Sequence, residues 1–126
     1  MDESQILKET LKSIDDYIDD QKLLIKKGEA LQRLKNNPDF QLVIMDGYFD
    51  AEAEMLFSLL TNPISGKPID RELILNQLDG IKHFKGYVGT KDHPGTLEQA
   101  ASMAPDNIHR ESLARMKITA DHAEEE

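Results

Sequence analysis

Apolar residues recur near the start of the chain at Leu7, Leu11, Ile14, Ile18 and Ile25, and Gln21 completes an alternation of fours and threes. That is the seam of a coiled coil, in which every fourth and then third residue returns to one helix face. Tyr17, Leu24 and Leu31 follow at intervals of seven and widen the stripe. The charges from Lys8 to Lys27 lie off the seam. The pattern predicts one long helix over residues 3–35. Gly28 falls on the seam, where the register is expected to drift or the helix to bend.

Asn36-Asn37-Pro38-Asp39 reads as a stop and a restart. Asn37 suits a cap, Pro38 a first turn and Asp39 the positive end of the new helix. Short helices are expected over residues 38–61. The first runs through Phe40, Leu42, Val43, Ile44 and Met45, with a strand as the alternative because Val43 and Ile44 are β-branched. Asp46-Gly47 is expected to end it, and Asp50 to cap a second, Ala51–Thr61. Asn62–Pro68 reads as a loop. Asp70 opens a helix to about Val88, with Ile74, Leu78, Ile81, Phe84 and Val88 on one face. After the Asp92-His93-Pro94-Gly95 break, a helical segment over residues 96–120 is expected, interrupted by Pro105. The fold class is therefore all-α: a single domain, an elongated helical hairpin or bundle led by the coiled-coil-like helix.

Composition narrows the function. The 126 residues carry a net charge of -9 and no Cys. An acidic surface repels phosphate backbones and anionic lipid, so neither nucleic acid nor a membrane is expected as a partner. Without Cys there is no disulfide, Cys-ligated zinc or thiol nucleophile. The acidic, polar N-terminus does not read as a signal peptide, so the protein is not expected to be secreted by one.

The search for chemistry yields little. Asp15, Asp16, Asp19 and Asp20 share the polar face and read as solvated surface rather than a metal site. His83, His93, His109 and His122 make no HxH or HExxH spacing. No metal, cofactor or catalytic residue is expected, and the protein reads as no enzyme. Two surfaces remain. Residues 38–66 hold five acids and no base, and within them DGYFDAEAE sets Tyr48 and Phe49 beside Asp50, Glu52 and Glu54. These five are candidate docking residues for a basic partner; in the alternative, both rings anchor in the core. Lys82, Lys85 and Lys91 around Phe84 and Tyr87 form the one basic-aromatic patch, a candidate small-ligand or nucleotide site. The seam residues Leu7, Leu11, Ile14, Ile18 and Ile25 are the candidate oligomer interface.

The stretch from Leu31 to Val88 reads LQRLKNNPDFQLVIMDGYFDAEAEMLFSLLTNP, then a loop, then REL…LDGIKHFKGYV. It resembles small tailed-phage proteins with a long N-terminal helix, an NPDF…GYF…EA core and an I..F..Y helical ending. The resemblance implies a virion-associated or assembly-related protein with no transferable site residues. The partners expected are further copies of itself and other virion proteins, in the host cytoplasm or the virion. A phage inhibitor that binds a host protein through residues 46–54 is the alternative.

Overall fold

The computed structural model describes residues 2–61 and 69–125, with side chains to Ala123; the loop expected over Asn62–Pro68 lies outside the described residues. The described residues are helical, apart from short connections and one isolated bridge between Gly89 and Pro94. The elements are α1 (Glu3–Lys35), α2 (Pro38–Phe40), a π-helix (Gln41–Glu52), α3 (Ala53–Thr61), α4 (Arg71–Val88) and α5 (Thr96–Glu125). The all-α class holds. No helix among the described residues is long and apolar enough to cross a membrane.

Two compact units emerge, residues 1–29 with 99–126, and residues 30–98. In the first, α1 and α5 run antiparallel. Gly28 meets Ala101 so closely that a Cβ on Gly28 would stand 2.5 Å from the Ala101 Cβ. Farther along, Asn107 Nδ2 donates to Gln21 Oε1 at 3.0 Å, and Arg115 Nε donates to Asp15 Oδ1 at 2.7 Å. At Gly28, where a bend or the end of the tight seam is expected, α1 continues and comes so near α5 that only a residue without a side chain fits. Asp15, expected to be solvated, is paired across the hairpin. Arg115 lowers its carboxyl below the usual range, chiefly by hydrogen bonding, and Asp15 in turn raises the guanidinium.

Pro105 does not interrupt α5, which runs through it unbroken. An interior proline costs about 3 kcal/mol through its missing N–H and its clash with the preceding turn. Contacts on both sides hold the helix: Ala101 against Gly28 before it, and Asn107 on Gln21 after it. Ala104, immediately before the proline, is completely buried.

In the second unit the expected caps are in place. Asn37 Oδ1 accepts from the amides of Asp39 and Phe40, and Asp70 Oδ1 from that of Leu73. The core gathers Leu31, Phe49, Leu56, Ile74, Ile81 and Val88. Glu98 closes the unit on α1: Lys35 Nζ donates to its Oε1 at 2.6 Å, and Gln32 Nε2 donates to the same atom. The Lys35 hydrogen bond, more than any other cause, holds the Glu98 carboxyl below its ordinary range.

The largest departure from expectation lies at residues 41–52. Asp46-Gly47 does not end a helix and Asp50 does not start one; the chain continues as a π-helix into α3. The physical reason is side-chain phase. Phe40, Ile44, Met45, Phe49 and Ala53 all turn to the core. From Phe40 to Ile44 and Met45, then to Phe49 and Ala53, the core returns every four to five residues, which fits the wider i→i+5 winding at roughly one turn each and outruns an α-helix.

Two outcomes follow. Gly28→Ala should destabilise the fold by about 1–2 kcal/mol in chemical denaturation, because overpacking outweighs alanine's better helix propensity. Ala101→Gly in the same chain should recover most of that loss, and simple additivity would refute the close-contact account. Glu98→Gln should cost about 1–2 kcal/mol at neutral pH, as a charge-assisted bond is lost. The folded Glu98 value is lowered, so its stabilisation is present above the usual glutamate range and disappears as pH falls through the folded value. Parent and variant stabilities should therefore converge in acid.

Candidate functional site

Parts of the acidic and the basic-aromatic regions meet at one cleft of about 620 Å³ within the second unit, Phe49 and Asp50 from the first and Lys82 and Lys85 from the second, while Tyr48, Glu52, Glu54, Phe84, Tyr87 and Lys91 do not line it. The π-helix supplies one wall with Met45, Asp46, Phe49 and Asp50; α4 supplies the other with Lys82, Lys85 and Gly86. The rim is the turn after α4, with Thr90, Asp92, His93 and Pro94. This placement depends on the π winding, which turns Phe49 inward while Asp46 and Asp50 stay exposed.

The rim is built by the backbone. Gly89 ends α4 at φ +85°, a conformation that favours glycine, and its amide donates to Lys85 O at 2.8 Å. Gly95 packs on it so tightly that a Cβ at either position would strike main-chain atoms. The Thr90 amide donates to His93 O at 2.8 Å, and the His93 amide to Thr90 Oγ1 at 3.2 Å. His93 is thus tied through its main chain to Thr90.

The cleft is electrostatically mixed. Lys85 Nζ stands 3.8 Å from Asp50 Oδ1, a long pair between two exposed side chains, and worth little. Three carboxylates and two ammonium groups among the lining residues suit a neutral or zwitterionic group better than a phosphate. The one hydroxyl among the lining residues, Thr90 Oγ1, accepts from the His93 amide.

The docking candidates divide. Phe49 is a core residue at 3% exposure, and its ring meets Phe84 edge-on at 5.3 Å between centroids. It offers nothing to a partner, which corrects its place among the docking residues. Tyr48, at 36% exposure, lies against both rings and reaches the surface. Asp50 and Glu54 are exposed and Glu52 is half-buried. Phe84, expected inside, is 39% exposed at the edge of this aromatic group. The spacing of four to five between core residues was the signal for this arrangement; a search at helical threes and fours passes over it.

The oligomer candidates Leu7, Leu11, Ile14, Ile18 and Ile25 lie in the α1–α5 hairpin, and all are half-buried. The seam thus has a partner within the chain. What remains open is the surface beside it.

Phe49→Ala should cost about 3–5 kcal/mol by thermal or denaturant unfolding, as expected for a buried aromatic. Tyr48→Ala should cost clearly less. Equal losses would mean that Tyr48 belongs to the core as Phe49 does.

No protein-family model, curated protein or solved structure matches this chain.

Proposed function

We propose that this is a non-enzymatic protein–protein interaction or assembly protein, a bacteriophage virion structural or assembly accessory working as a helix-mediated oligomer. The observation that carries the interaction reading is apolar surface held in water. Leu42 and Val43, adjacent on the π-helix, are 67% and 62% exposed, and Phe57 of α3 is 60% exposed. Single exposed apolar residues are ordinary, but several grouped on one helical surface gain free energy when a partner covers them. These side chains lie in the base-free stretch of residues 38–66, which favours a basic partner. The resemblance over Leu31–Val88 supports the phage setting.

Mass spectrometry of purified particles of the encoding phage should find the protein. The Leu42→Glu, Val43→Glu double variant should keep its helical circular dichroism and lose incorporation. Absence from particles, with no partner captured at the assembly stage, would overturn the reading. The cleft supports a second one, a small-ligand module. Under the assembly reading, nucleotides, phosphate and free amino acids leave the melting temperature unchanged. A reproducible rise with one of them, abolished by Lys82→Ala, would move the function to the cleft.

A further inference from the structure

The α1–α5 hairpin of the first unit lacks a core of its own. Among its described residues only Gln21, Gly28 and Ala104 are buried, and every Leu and Ile of the α1 seam keeps part of its surface in water. Two helices can cover each other along one line only, so residues beside the seam stay open.

One flank of the hairpin is suited to further packing. The Gln21–Asn107 hydrogen bond and the groove lined by Leu7, Thr10, Ile118 and Asp121 identify residues on the same side of both helices. Following those lines at intervals of seven places Tyr17 and Leu24 of α1 beside Ala100 and Ala114 of α5, with Met103 next to them. Tyr17 and Met103 are exposed, at 40% and 60%. Leu24, Ala100 and Ala114 are half-buried. Large side chains on one helix face small ones on the other, which is a surface that a helix pair can enter.

We infer that this flank is covered by a second copy of the chain, giving a twofold-symmetric four-helix bundle. The argument for a second copy is charge. The outer border of the flank carries Asp20 on α1 and Arg110 on α5. Among the described residues neither forms an ion pair within the chain. The hairpin register sets Gln21 beside Asn107, so Asp20 and Arg110 stand at nearly the same height along it. A twofold axis parallel to the hairpin preserves height. It lays α1 of each copy antiparallel to α5 of the other and brings Asp20 opposite Arg110 of the second copy, twice. The interface is then isologous, closed and charge-matched. This inference rests on the assembly reading for self-association and adds the surface, the symmetry and the number of copies.

Sedimentation equilibrium of the full chain at micromolar concentration should give twice 14.3 kDa. Asp20→Arg and Arg110→Asp should each weaken the dimer about tenfold or more by setting like charges opposite each other, and the two together should restore it. Tyr17→Glu should yield a monomer with unchanged helical circular dichroism. A parent that stays at 14.3 kDa overturns the inference, as does a dimer indifferent to all these changes. A dimer lost only on Leu42→Glu, Val43→Glu places self-association elsewhere: the flank inference then falls while the assembly reading stands. Failure to find the protein in particles, with the charge-swap rescue intact, removes the virion setting and leaves the dimer.

Discussion

The approach of Gly28 to Ala101 sets the geometry of the first unit. Two helices come this close only where neither carries a bulky side chain, and the missing Cβ of Gly28 is what admits Ala101. From that point the antiparallel register runs to Gln21 and Asn107, then to Asp15 and Arg115. The polar pairs fix alignment more than they add stability, since the Asp15–Arg115 pair is partly open to solvent. The hairpin that results is specific in register and thin in cross-section. It satisfies the seam on one side and leaves a flank with no neighbour in its own unit.

The second unit solves a different problem. Its core must receive Phe40, Met45, Phe49 and Ala53 from one continuous stretch, and an α-helix would rotate some of them into water. The π winding restores their phase. That winding is uncommon and often accompanies function. Here it has a clear local consequence: with Phe49 inward, Asp46 and Asp50 face the α4 lysines across a cleft. The glycine pair Gly89 and Gly95 then folds the rim back over the end of α4. Acidic and basic segments that are well separated in the sequence become the two walls of one feature, and each moderates the charge of the other.

The cleft brings together charges of both signs. The exposed apolar side chains fall instead on helical surfaces, at Leu42 and Val43 in one unit and at Tyr17 and Met103 in the other. Surfaces of that kind are energetically useful only when covered. The assembly reading and the proposed bundle both follow from this one consideration, applied to separate faces.

The sequence by itself determined the helical class, the long first helix, its seam, the Asn37 and Asp70 caps and the α4 span. Each is written in local periodicity or in a side chain bonding an amide two or three residues away, so no distant partner is needed to read it. Only the tertiary structure decided the rest. Pro105 reads as an interruption and Gly28 as a bend because locally they weaken a helix, and contacts from residues far along the chain hold the helix at both positions. The π-helix was hidden because its winding serves a core assembled from α1, α3 and α4. The same holds for the seam: spacing showed that Leu7 to Ile25 would be covered, but it carried no information on which helix would cover them. The α5 side of the hairpin includes small and polar residues such as Ala101, Asn107 and Arg115, so no apolar pattern in α5 announced its partner. Only the meeting of the two helices reveals it.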